Sequence, residues 1–218
     1  MPCGCVLIAY LGLSTILDGS PRTIRFQIDD WHNQSWGLHD IDRRRLQCEV
    51  AVASDGSRMN RCENELFHHY FVSTRRGTEH SLYLHAANAG FYIDDATRIA
   101  RGGSCTCTWE PLRALADDNE CNRSAEARLS GGKRIGVGQI AGHDVVRYRA
   151  VDEKGMETAL SLAPGLACEV MEEVHTWPGT LGIPGAKWQY RVTSYTPGAP
   201  DGSMFRLPVG YVVKRENE

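Results

Sequence analysis

Residues 188–196 read WQYRVTSYT, and the alternation in this stretch decides the fold class. Trp188, Tyr190, Val192 and Ser194 are predicted to point to one side, with Gln189, Arg191, Thr193 and Tyr195 pointing to the other. Period-2 alternation of this kind marks a strand with one face packed and one face wetter, as in antiparallel sheets. Working back, segments 167–175, 156–163 and 144–151 carry β-rich composition. They are separated by Pro164-Gly165 and Glu153-Lys154-Gly155, residues that favour turns. From Ile135 onward the chain therefore reads as a β-meander. Loop 177–186 (WPGTLGIPGA) is too apolar for a plain solvated linker, and is expected to cover an opening of the sheet.

The same logic extends upstream. In 22–28, Ile24, Phe26 and Ile28 alternate with Thr23, Arg25 and Gln27. In 46–53, Leu46, Cys48, Val50 and Val52 alternate with Gln47, Glu49 and Ala51, and the turn Ser54-Asp55-Gly56-Ser57 follows. A strand is expected over 66–74, broken at Arg76-Gly77 and resumed over 80–85; shorter strands are expected at 90–94 and 97–100. Helical character is confined to 110–129, where Leu112, Leu115 and Ala116 share a face and Pro111 suits a first turn.

Composition narrows the function classes. The chain has 218 residues, with 24 Lys plus Arg against 27 Asp plus Glu, a net charge of −3. That length can bury a substantial core, and the near-neutral charge gives no basic footprint for nucleic acid. Residues 6–17 (VLIAYLGLSTIL) form an uncharged apolar run. It is too short for a bilayer span, which takes ~20 residues, and suits the apolar region of a signal peptide.

Three pieces of the C-terminal third resemble the outer-membrane lipoprotein carrier and sorting-protein-like superfamily. They are Ile140-Ala141-Gly142-His143 leading into Val145-Val146-Arg147-Tyr148, then Leu162-Ala163-Pro164-Gly165-Leu166, then the segment from Asp201 to Val213 with Phe205, Pro208, Gly210 and Tyr211. The resemblance implies a mainly β (α+β) fold: a single curved antiparallel sheet or half-barrel, with a small helical insertion covering the concave side. With the apolar run at the N-terminus, the expected division is a signal peptide or hydrophobic anchor over 1–21 and one carrier-like β domain over 22–218, with an insertion around 105–130. In the carriers the concavity receives acyl chains. The chain departs from them in its cysteines and in its 105–121 region.

Eight cysteines are the unusual feature of the composition. Loss of a leader removes Cys3 and Cys5 and leaves Cys48, Cys62, Cys105, Cys107, Cys121 and Cys168, which suits disulfides in an oxidising compartment. Proximity along the chain favours Cys48 with Cys62, and Cys105 or Cys107 with Cys121, leaving Cys168 for the remaining thiol. Cys105-x-Cys107 is too tightly spaced for a usual zinc site. A hairpin of 66–74 with 80–85 would bring His68 or His69 towards His80; no metal and no cofactor is expected.

Catalytic motifs are weak. Ser130-Gly131-Gly132-Lys133 satisfies S-x-x-K but lies in a glycine-rich turn without the accompanying elements. Segment 136–142 has one residue too many for a dinucleotide fingerprint and sits in a meander. The doublets Asp29-Asp30, Asp94-Asp95, Asp117-Asp118 and Glu172-Glu173 would send their carboxylates to opposite faces of a strand. The expectation is a non-enzymatic exported protein of the periplasm or cell envelope, with no catalytic residues. It would bind a lipid, an acyl chain or another apolar ligand in a cavity lined by Phe67, Phe71, Tyr83, Phe91, Tyr148, Trp188 and Tyr190. The alternative is a structural or interaction subunit of a larger envelope assembly, with an envelope protein as its partner.

Overall fold

Alternating side chains along the extended segments leave one solution: strands paired edge to edge, with an apolar row on each buried face. In the computed structural model, which describes residues 21–34, 40–68, 73–84, 86–104, 118–179 and 185–215, twelve strands do this. They are β1 (Arg22–Gln34), β2 (Asp40–Val52), β3 (Arg58–His68), β4 (Ser73–Leu84), β5 (Ala89–Asp94) and β6 (Ile99–Ser104). After helix α1 (Asp118–Arg128) come β7 (Lys133–Ile140), β8 (His143–Val151), β9 (Glu157–Ala163), β10 (Glu169–Trp177), β11 (Ala186–Pro197) and β12 (Val212–Arg215). All join one open, curved sheet in the order β12-β6-β5-β4-β3-β2-β1-β11-β10-β9-β8-β7. The mainly β expectation stands, and α1 covers the concave side.

Several expectations need correction. The stretch 66–74 is not one strand: β3 ends at His68 and β4 starts at Ser73, and β4 runs through Gly77 without a break. Aromatic and β-branched residues simulated a strand there, while continuous pairing with β3 carries the glycine. His68 consequently lies opposite Ser73, and His80 lies opposite Arg61. Seven residues of strand, about 23 Å, separate the two histidine positions. The last long strand also departs from strict alternation, because the register against β1 shifts at Thr193: Phe26 meets Val192 and Arg25 meets Ser194. The Thr193 hydroxyl donates to the Arg25 carbonyl at 3.1 Å. One extra residue reverses the alternation, so Tyr195 packs on the same core as Tyr190 and Val192. Strand β12 is parallel to β6, an exception in an otherwise antiparallel sheet. Residues 1–20, Cys105, Cys107, His69, Phe71, His85 and the expected first turns of the helix lie outside the described residues.

The concave, inner face carries the larger core. Ile24, Phe26 and Ile28 of β1 pack with Leu46, Tyr148, Leu160, Leu162, Tyr190 and Val192. Helix α1 offers only a narrow stripe, Cys121 and Ala125, continued by Leu129 just beyond its end. Spacing of four residues keeps the three on one side. The Tyr148 hydroxyl donates to Asn122 Oδ1 at 2.6 Å, fixing the helix over β8. A two-residue turn joins β7 to β8, with Gly142 at a φ of 81°, a conformation that glycine adopts without strain.

A second, smaller core lies on the convex, outer face. Ala51, Met59, Leu82, Ile93 and Ala100 are buried there beneath Met204, Phe205, Leu207 and Tyr211. The segment that covers them begins with a short 3-10 turn, Gly202–Phe205, whose Ser203 amide donates to Asp201 Oδ1 at 2.9 Å. It ends where the Tyr211 hydroxyl donates to Asp95 Oδ1 at 2.8 Å. Phe205 and Tyr211 thus anchor the chain end, and β12 follows at the sheet edge.

Two kinds of cross-link pin this architecture. Cys48 bonds Cys62 directly across β2 and β3, with Cα atoms 4.1 Å apart. Cys121 of α1 bonds Cys168 beside β10, 47 residues away. This second bridge corrects the local pairing of Cys121 with Cys105 or Cys107: the helix folds back over the sheet and meets a distant thiol. Near the same end, fully buried Arg22 meets Glu169, which is also buried, at 3.2 Å. Arg58 shares a row with Arg22, on either side of Val52. Burial, and then the charge of Arg22, push the Arg58 guanidinium down to about 9, while Glu169 opposes the shift.

These links set the expected stability of two kinds of variant. Glu169→Gln removes the carboxylate that the buried Arg22 guanidinium meets and should cost about 3–5 kcal/mol in urea unfolding; a cost near zero would mean that Glu169 does not hold it. Loop-closure entropy assigns about 4 kcal/mol to the 121–168 bridge and about 3 kcal/mol to the 48–62 bridge. The Cys121→Ser/Cys168→Ser variant should therefore unfold at lower urea than Cys48→Ser/Cys62→Ser, and the reverse order would contradict that account.

Candidate functional site

Burial along the inner face is uneven. On β10, Glu169, Val170 and Met171 are buried, whereas residues 172–177 are only half-buried. On β11 the same change occurs between Tyr190, which is buried, and residues 186–189, which are half-buried. Register places these half-buried ends side by side, with His175 opposite Trp188 and Trp177 opposite Ala186. The inner face is thus packed at the Arg22–Glu169 end and opens at the other, which forms a mouth.

The mouth is aromatic on one side. Period 2 along β10 sets Glu173, His175 and Trp177 on one face, and β11 adds Trp188. The His175 ring lies 5.3 Å from the Trp188 ring and 5.8 Å from that of Trp177, centroid to centroid. Its two nitrogens are both engaged: Nδ1 is 3.1 Å from Thr158 Oγ1, and Nε2 is 2.8 Å from Glu173 Oε1. An ionised Glu173 only accepts, so Nε2 donates to it; in the neutral ring Nδ1 then accepts the Thr158 hydroxyl proton. Arg128 at the end of α1 approaches Glu173 Oε2 at 4.0 Å. The ring is therefore held from both sides, and the two indoles flank a fixed surface.

Polar groups complete the rim. Asp30 lies opposite Trp188 on one side and opposite Arg44 on the other. Arg44 crosses β3 to reach Glu79 at 3.2 Å. Deeper in, the Phe26 and Tyr190 rings are 4.9 Å apart. Burial first, and then the charge of Glu169, push the Tyr190 phenol well above its ordinary range, so Tyr190 stays neutral and packs. Thr158 is only 6% exposed, which makes its hydroxyl a support for the imidazole rather than a nucleophile within reach of a substrate.

The residues expected to line a cavity fall into distinct places. Trp188, Tyr190, Tyr148 and Tyr83 share the inner face by register; the three tyrosines are buried, and Trp188 is half-buried at the mouth. Phe91 lies on the outer face against the second core. Phe67 lies opposite Arg43 on the outer face and is partly exposed. Phe71 lies outside the described residues. Thr158, Glu173, His175 and Trp177 were absent from the expected set. Alternation of Glu173, His175 and Trp177 carried the signal, but ending the strand at His175 hid it; Thr158 carries no sequence signal of its own.

The outer face offers a different chemistry. Arg43 grips Asp29, with Nε at 2.8 Å, and holds its carboxyl below the usual carboxylate range. Arg25 bonds Glu49 at 2.8 Å, and Arg76 bonds Glu65 at 3.1 Å. Two shallow clefts of about 460 and 480 Å3 run between such residues, lined by Arg45, Gln47, Glu63 and Thr78 in one and by Arg25, Gln27, Glu49 and Arg61 in the other. These are charge ladders, unsuited to an acyl chain. Among the described residues no group of three or more His, Cys, Asp or Glu converges to hold a metal ion.

No protein-family model matches the chain, and no curated protein does. Solved structures do. An uncharacterized conserved protein from Thermus thermophilus is 9% identical, with a TM-score of 0.39, over 90% of this chain and 91% of that one. MucB is 13% identical, with a TM-score of 0.43, over 96% of this chain and 65% of MucB; this chain thus spans about two-thirds of MucB. A candidate outer membrane lipoprotein-sorting protein domain from Vibrio parahaemolyticus is 9% identical, with a TM-score of 0.23, over 91% of this chain and 95% of that one. At these identities and TM-scores the likenesses assign no activity to this chain.

Proposed function

We propose that the chain is a non-enzymatic binding module of an oxidising, extracytoplasmic compartment. In this proposal its inner-face mouth takes a ligand with an apolar body, such as an acyl chain. The observation that carries this reading is the half-buried Trp177–His175–Trp188 surface, set where the packed core gives way. Indoles that are flat, apolar and already held in place bind aliphatic surface at little entropic cost. Asp30, Arg44 and Glu79 on the facing rim suit a polar head group. The compartment rests on the two disulfides, which persist outside reducing cytosol. The domain reading over 22–218, with a leader before it, belongs to the same proposal.

Dansyl-undecanoic acid tests the reading, because its emission rises when the dansyl group leaves water. Saturable enhancement is expected with the wild-type protein. Trp177→Ala/Trp188→Ala should weaken binding about tenfold, at ~0.5–1.5 kcal/mol per aromatic contact, while Trp177→Phe/Trp188→Phe should retain most of it. No saturable signal, or equal affinity in the alanine variant, would reject the mouth as the binding site.

A further inference from the structure

Strand β7 ends the sheet order on one side, so among the described residues one of its backbone edges pairs with no strand. An unpaired edge is a template for another extended chain. Proteins commonly blunt such edges with charge and bulges, and β7 has both at its start: Lys133, Arg134 and a register shift between Arg134 and Gly136. Beyond the shift the pairing with β8 is regular from Gly136 to Ile140. Aliphatic side chains at and beyond the shift stay exposed. Val137 is 66% exposed, and Ile135 beside it is 57% exposed. A side chain at Gly136 would meet only open space, and Gly138 leaves its backbone bare except where the Arg147 guanidinium lies across it.

Charge says what fits here. Together β7 and β8 carry Lys133, Arg134, Arg147 and Arg149 against one carboxylate, Asp144. Arg149 is met by Glu157 of β9; Lys133 and Arg147 give this edge its basic character. The opposite edge strand, β12, is basic too, with Lys214 and Arg215. Pairing β7 with β7 or with β12 of a second copy would set cations against cations, which disfavours self-association. We infer that the β7 edge accepts an extended segment of a partner protein, added as a further strand, in which aliphatic residues alternate with acidic ones. Aliphatic side chains would rest on Ile135 and Val137, and carboxylates would meet Lys133 and Arg147. Main-chain bonds give affinity in this mode, and alternate side chains give selectivity. This inference is independent of the aromatic mouth.

Fluorescence anisotropy on the full protein tests it with a fluorescein-labelled peptide of alternating Val and Asp. Saturable binding is expected, with at least about tenfold preference over the Val/Lys peptide, and Lys133→Glu/Arg147→Glu should reverse that preference. Val137→Pro removes an edge donor at a position where proline is tolerated, and should abolish binding while leaving dansyl-undecanoic acid affinity unchanged. Methylating the backbone nitrogens of alternate peptide residues separates strand addition from charge attraction. One set of alternate methyl groups should eliminate binding and the other should not, because successive N–H groups of a strand point to opposite edges. Equal binding of the Val/Lys peptide, equal effects of the two methylated sets, or no saturable binding would each overturn the inference. The last of these would leave β7 as a guarded edge.

Discussion

A guanidinium with no exposure to water, that of Arg22, depends on the Glu169 carboxylate 3.2 Å away. Removing both charges from water is expensive, and only close mutual placement offsets the cost. Arg22 opens β1 and Glu169 opens β10, with β11 lying between these strands in the sheet. Their side chains meet across β11 at this end of the sheet. Arg58, in the same row beyond Val52, adds a second cation to the same region. At the opposite ends of β10 and β11 the strands stay paired but burial falls off, and the two indoles there are half-buried. The inner face thus carries a buried charge pair at one end and an aromatic surface at the other.

Using both faces of one sheet solves a second problem. A single layer this wide has more apolar surface than one short helix can cover. Helix α1 is 11 residues long, or about 16 Å at the usual rise, and serves the β8–β9 side of the inner face. The β3–β6 side buries further apolar residues on the outer face, beneath Met204, Phe205, Leu207 and Tyr211. Between the two cores the outer face carries paired charges.

Strands were legible wherever one face is buried, because burial imposes period 2 on the residues themselves: Ile24, Phe26 and Ile28 are the plainest instance. Legibility failed where pairing overrode local signal. The end of β3 at His68 and the start of β4 at Ser73 fall inside an aromatic, β-branched run, and Gly77 sits within a continuous strand. The bulge at Thr193 turned Tyr195 to the other face, which no count of alternating residues shows. Strand β12 is four residues long and depends on its neighbour for its existence. Of the site, Trp188 was legible from its strand, while the Thr158–His175–Glu173 chain required knowing that β9 lies beside β10. The bond between Cys121 and Cys168 likewise follows from where the helix docks, not from spacing.

The pairing of β1 with β11 sets a timetable. Arg22 aligns with Pro197, and Ile28 with Tyr190, so the first strand cannot gain its second neighbour until most of the chain exists. At roughly 5–20 residues per second of synthesis, that interval is on the order of ten to thirty seconds. Long-range closures of this kind are also slow in themselves. During the interval β1 can hold only its β2 side, the buried arginine has no carboxylate, and the inner core is unformed. The inner core can therefore close only after the C-terminal third has arrived, and the order of synthesis makes the last long strand the one that completes the sheet.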